Sequence, residues 1–166
     1  MQTKEIDLLA QNLGNQCIKN AYNLVIAESC TGGLICSTIT SVSGSSQWFD
    51  RGFVTYSNQS KCDLLGVTKK TLDNYGAVSQ NVANEMVLGA LQNSHANISL
   101  SITGIAGPNG GSKDKPVGTV YFAICNQNSI IFESKSNFSG SRREIQKKAL
   151  LFALNNLLKV TMKQQI

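Results

Sequence analysis

Apolar residues recur along this chain with two periods, and the changes between them mark its elements. Ile6, Leu9, Leu13 and Cys17 stand at helical spacing, which predicts an amphipathic helix over 4–20. Leu24-Val25-Ile26-Ala27 is a continuous apolar run, suited to a strand covered on both faces. From Thr31 to about Thr40 the spacing turns helical again. Phe49, Arg51, Phe53 and Thr55 alternate with Asp50, Gly52 and Val54 in a strand that leads into Tyr56-Ser57-Asn58. Two short helices follow, near 58–65 and 68–74, the second opened by Thr68 as an N-cap. Ser79 caps a longer helix in which Val82, Met86, Leu88 and Leu91 keep helical spacing. Ile98 to Thr103 is a further strand, running into the glycine-rich stretch 104–111. Gly118 to Cys125 and Ser129 to Phe138 read as strands around Asn126-Gln127-Asn128, a hairpin signal. From Ser141 the chain is helical, with Ile145, Ala149, Leu150, Ala153 and Leu157 on one face.

Strands alternate with helices and a hairpin follows. That order predicts an α/β fold, a three-layer α/β/α sandwich with a mixed, mostly parallel sheet. The 166 residues suit one domain over 1–166, since single domains commonly run to roughly 100–200 residues. No apolar stretch reaches the ~18 residues of a membrane span. Met1-Gln2-Thr3-Lys4-Glu5 lacks an apolar signal region, so the expected address is cytoplasmic. The five cysteines, Cys17, Cys30, Cys36, Cys62 and Cys125, are odd in number and show no C-x-x-C spacing, which argues against a disulfide framework or zinc knuckle. A net charge of +5 invites anionic partners, but Lys and Arg adjoin only at 69–70, 142–143 and 147–148. A small anionic ligand fits this pattern better than a nucleic-acid surface.

The chemistry-bearing candidate is the corner after the first strand, Glu28-Ser29-Cys30-Thr31-Gly32-Gly33. Open α/β sheets bind ligands beyond the carboxyl ends of their strands. A helix starting near Thr31 would present amides without internal partners, suited to an anion or a developing oxyanion, and Gly32 and Gly33 would leave them unobstructed. The corner is neither a P-loop nor a dinucleotide fingerprint.

Longer blocks of sequence add to this. Ala27 to Gly33, Thr55-Tyr56-Ser57-Asn58 with Lys61 and Leu65-Gly66-Val67, and Gly76-Ala77-Val78-Ser79 occur in this order. Thr103-Gly104-Ile105-Ala106-Gly107-Pro108 and Lys115 to Val120 follow. Together they resemble the CinA C-terminal domain family, the nicotinamide-nucleotide amidases. The resemblance covers nearly the whole chain. It implies a stand-alone amidase that hydrolyses the carboxamide of nicotinamide mononucleotide to nicotinate mononucleotide and ammonia in pyridine-nucleotide salvage. It also implies no cofactor or metal, and a homo-oligomer, dimer or higher.

Amide hydrolysis needs a nucleophile, a base, a donor for the carbonyl oxygen and an acid for the leaving group. His95 is the only histidine and lies near the end of a predicted helix, so a Ser-His-Asp triad is not expected. The resemblance places a serine–lysine pair on Ser29 and Lys61. It leaves Tyr56 either to hydrogen-bond Lys61 or to stack on the pyridine ring, and Thr103 either near the pair or capping its own turn. Cys30 is a rival nucleophile at the same corner, although the resemblance favours Ser29. Cys30, Thr31, Gly32, Gly33, Gly104 and Gly107 are expected to contact substrate. Arg142 would either bind the phosphate or lower the lysine pKa by repulsion. Where the family commonly has a second arginine four positions on, this chain has Gln146. Two other functions compete: a non-enzymatic competence- or DNA-damage-related regulatory or protein-interaction module, and a metal-dependent nucleotide phosphohydrolase.

Overall fold

The structure is a computed structural model and describes residues 2–162. Its centre is one five-stranded sheet of order β2-β1-β3-β4-β5, built from β1 (Leu24–Glu28), β2 (Phe49–Val54), β3 (Ile98–Gly104), β4 (Thr119–Asn126) and β5 (Ser129–Asn137). β2, β1 and β3 are mutually parallel, and β4 and β5 close one side as an antiparallel hairpin. Gln127 and Asn128, both at positive φ, make the tight hairpin turn.

Alternation along the strands feeds two helical layers. Leu24 and Ile26 of β1, Ile98, Leu100 and Ile102 of β3, and Phe122 of β4 face one core. That core is completed by α1 (Gln2–Lys19), α2 (Leu34–Thr40) and α6 (Arg142–Met162). Val25, Ala27, Ala123 and Cys125 face the opposite core, with residues of α3 (Asn58–Leu65) and α5 (Gln80–Gln92). Leu72 of α4 (Lys69–Tyr75) packs at the margin of that second core. β1 is buried along its whole length, as its unbroken apolar run predicts. On β3 the face toward α5 carries Ser99 and Ser101, whose hydroxyls donate to the Val87 and Ala83 carbonyls at 2.9 and 2.6 Å. Small hydroxyl side chains thus bring a helix close to the sheet without an unpaired polar atom.

Thr68 and Ser79 cap their helices as the sequence reading has it, accepting from the amides of Thr71 and Val82, and Ser57 caps α3 by accepting from the Ser60 amide. One boundary differs. The helix expected from Thr31 begins at Leu34, because Gly32 and Gly33 adopt left-handed φ of 60° and 95°. Residues 30–33 form a turn that carries the chain from β1 into α2.

Three parallel strands end side by side. Glu28 at the end of β1 pairs with Val54 of β2 and with Ile102 of β3. The next residues along each strand, Ser29, Thr55 with Tyr56, and Thr103, therefore emerge together at one edge of the sheet. Among the described residues, no helix is long and apolar enough to cross a membrane.

Candidate active site

Ser29 is anchored by its own backbone, its amide donating to the Ile102 carbonyl of β3 at 3.0 Å. The chain then turns within two residues, so its side chain stands at the strand edge, 7% exposed. Opposite it, Ser57 caps α3 and sets Lys61 in the first turns of that helix. The lysine runs inward and is 1% exposed. Its Nζ lies 3.0 Å from Ser29 Oγ, 2.7 Å from the Thr55 carbonyl and 3.4 Å from the Tyr56 carbonyl. Among the described residues no carboxylate pairs with it. Burial holds its pKa below the usual lysine value, because water no longer solvates the ammonium form.

In front of Ser29 lies a pocket of about 300 Å³. Ser29, Cys30 and Thr103 contribute to it from the strand ends, and Tyr56 and Arg142 from the side. Ala77 and Val78 line it from the segment before α5, and the loop from Gly104 to Gly110 contributes a further wall. Gly107 is at φ 78°, and a Cβ there would stand 2.5 Å from Val117 Cγ1, so this loop can pack only with glycine at that point.

Several expected residues take roles that the sequence left open or placed elsewhere. Tyr56 meets Lys61 through its carbonyl, while its phenol, 62% exposed overall, accepts from Arg142 Nη2 at 2.9 Å. Arg142 Nη1 donates to the Gly107 carbonyl at 2.8 Å, so the guanidinium ties the two sides of the pocket. The lysine's depressed pKa comes from burial rather than from repulsion by Arg142. Thr103 does not cap its own turn; its hydroxyl donates to the Ala77 carbonyl at 2.8 Å and holds that segment against β3.

The amides of the corner need the largest correction. Gly32 N–H donates to the Ser29 carbonyl at 3.1 Å. Gly33, Ile35 and Cys36 donate to the Glu28 carboxylate at 3.0, 3.2 and 2.8 Å. Gly32 and Gly33 shape the turn, and their amides are occupied. Among the described residues, the corner amides left without a protein acceptor are those of Cys30 and Thr31. Among the described residues, Thr31 also has a buried hydroxyl with no partner. The amides at the start of α2 are taken by Glu28, a buried acid to which the sequence reading assigned no role. The signal for it was an acid shortly before a helix start, where it meets unpaired amides and the positive end of the dipole.

Cys30 shares the corner, but its thiol packs into the core. Burial, and then the charge of Glu28, push it up to about 12, so it remains a thiol at neutral pH. The hydroxyl that faces a buried amine is that of Ser29.

Residues 6–161 match the CinA C-terminal domain. The chain belongs to that family. The nicotinamide-nucleotide amidohydrolase PncC of Enterobacter agglomerans is 46% identical over 96% of this chain and 97% of its own length. The protein of the same name from Escherichia coli K12 is 43% identical over 95% of each. Among solved structures, the competence/damage inducible protein CihA of Agrobacterium tumefaciens superposes with a TM-score of 0.92. That likeness spans 95% of this chain and 96% of the other, at 41% identity. The CinA-family relationship therefore covers the sheet, both helical layers and every segment that lines the pocket.

Proposed function

We propose that this protein hydrolyses the carboxamide of nicotinamide mononucleotide to nicotinate mononucleotide and ammonia, using Ser29 as nucleophile and Lys61 as base, in salvage of pyridine nucleotides. The observation that carries the mechanism is the position of Lys61 Nζ, 3.0 Å from Ser29 Oγ with carbonyls on its other sides. A neutral amine has two N–H bonds and one lone pair. The Thr55 and Tyr56 carbonyls match the two N–H bonds, which leaves the lone pair for the serine proton. The substrate class is supported by the amidohydrolase relatives that match nearly end to end.

Lys61 takes the Ser29 proton as Oγ bonds to the carboxamide carbon. The carbonyl oxygen becomes an oxyanion, and the idle amides of Cys30 and Thr31 are its donors. The lysine then passes its proton to the departing nitrogen, which leaves as ammonia, and an ester remains on Ser29. Water attacks that ester, gives a proton to Lys61, and the same proton returns to Ser29 as the acid departs. The pyridinium ring of the substrate lies against Ala77, Val78 and Tyr56. Its positive charge disfavours a second cation nearby and so favours the neutral lysine. Arg142 uses two N–H groups on Gly107 and Tyr56 and has others left for the phosphate.

Among the described residues, no three His, Cys, Asp or Glu side chains group to hold a metal ion. The decisive experiment incubates purified protein with nicotinamide mononucleotide and EDTA and follows ammonia and nicotinate mononucleotide. Undiminished turnover under chelation is expected. Absence of turnover by folded protein would refute the proposal, and turnover only with added divalent metal would refute its mechanism.

A further inference from the structure

Gln146 stands one turn after Arg142 on α6, so both side chains leave the same face of the helix. Arg142 holds the pocket rim. Gln146 reaches the nucleophile corner, where its Nε2 donates to the Cys30 carbonyl at 2.9 Å.

That contact matters because of what lies across the same peptide. In a trans peptide the C=O and N–H share one plane and point in opposite directions, so a bond to the carbonyl sets the direction of the amide. Two consecutive units at the corner carry the idle N–H groups. In the first, the Ser29 carbonyl accepts from Gly32 N–H at 3.1 Å inside the turn, and the Cys30 amide is therefore set by backbone alone. In the second, among the described residues the Cys30 carbonyl accepts from Gln146 only, a side chain 116 positions further along the chain. The direction of the Thr31 amide thus depends on a side chain from another element. Thr31 is 3% exposed, and both its N–H and its hydroxyl are without partners among the described residues. Buried donors are seldom left idle, and a preset donor beside a nucleophile is what a developing oxyanion requires.

The geometry points to Gln146 as a positioning residue for amide hydrolysis, holding the Cys30–Thr31 peptide so that the Thr31 amide receives the carbonyl oxygen as its charge develops. This inference rests on the assignment of Ser29 as nucleophile. Gln146 is not among the residues that line the pocket in front of Ser29. Its loss therefore acts on the rate of chemistry and leaves binding alone.

The test compares Gln146→Leu, Gln146→Glu and Gln146→Arg with wild type on nicotinamide mononucleotide, with Ser29→Ala alongside and thermal unfolding recorded for each. Leu and Glu lack the donor. Both are expected to lower kcat by about ten- to a hundredfold, below the ~10²–10³ loss for deleting a donor outright, with KM and melting temperature close to wild type. Gln146→Arg keeps an N–H within reach of the carbonyl and is expected to recover most of kcat. Wild-type kcat in Gln146→Leu, a loss expressed through KM, or activity falling in step with folded protein would each overturn the inference. An inactive Ser29→Ala beside an unimpaired Gln146→Leu removes this inference alone. A Ser29→Ala that still releases ammonia removes the nucleophile assignment and this inference with it.

Discussion

Replacing Glu28 with Gln isolates what one buried carboxylate does for the corner. Its Oε2 accepts from Gly33 and Ile35 at 3.0 and 3.2 Å, and its Oε1 from Cys36 at 2.8 Å. Glutamine has nearly the same shape but one acceptor oxygen. In its better orientation it keeps the two bonds to Gly33 and Ile35 and sets an NH2 group against the Cys36 amide. One charge-assisted hydrogen bond is lost, at about 1.5–3 kcal/mol. The missing negative charge at the start of α2 adds about 0.3–1 kcal/mol. The expected destabilisation is about 2–4 kcal/mol, which for a chain of this size lowers Tm by about 5–15 °C. Differential scanning calorimetry at neutral pH measures it. A Tm within about 2 °C of wild type would show that the carboxylate does not hold the helix start, and the assignment of occupied and idle amides would fall with it.

Two further outcomes follow from the titratable groups. Burial holds Lys61 below 10.5, and the proposed base is the neutral amine, so kcat/KM should rise with pH and level off before 10.5 is reached. Lys61→Arg keeps the charge and should lose that rising limb together with the activity. A wild-type rate that falls as pH rises through neutrality would refute the assignment of the base. For Cys30 the sign is opposite. Its folded value of about 12 lies above the ordinary 9.0, so the folded state keeps its proton where the unfolded chain ionises. The stability this group contributes is complete below pH 9.0 and is lost as pH rises toward about 12. In denaturant melts, the gap between wild type and Cys30→Ala should narrow over that window while Cys30→Ala continues to release ammonia. A gap independent of pH would contradict the burial of the thiol.

The chain announced most of its frame. β1 was visible because a strand covered on both faces must be apolar without interruption, and α4 and α5 because Thr68 and Ser79 stand where caps are needed. The corner holding Ser29 stood out from its own residues, and resemblance paired it with Lys61; by spacing alone a lysine in a short helix reads as a solvated one. The start of α2 was misplaced because Gly32 and Gly33 turn left-handed before it, and the Glu28 carboxylate that takes its first amides belongs to the preceding strand. Local periodicity does not report such a contact. Nor does it report that Tyr56 turns to Arg142, or that Thr103 holds Ala77 at the pocket, since both depend on how distant segments dock.

Ser29 and the carbonyls that orient Lys61 leave from neighbouring parallel strands, β1 and β2, joined at Glu28 and Val54. A slip of one residue between those strands would displace the Thr55 carbonyl by about 3.3 Å relative to Ser29. It would also turn each β2 side chain to the other face. Amine and hydroxyl would then part beyond reach while helical content and compactness changed little. Turnover therefore reports strand alignment more sharply than circular dichroism or sedimentation does, since a chain with β1 and β2 paired one step out would look native and be inert.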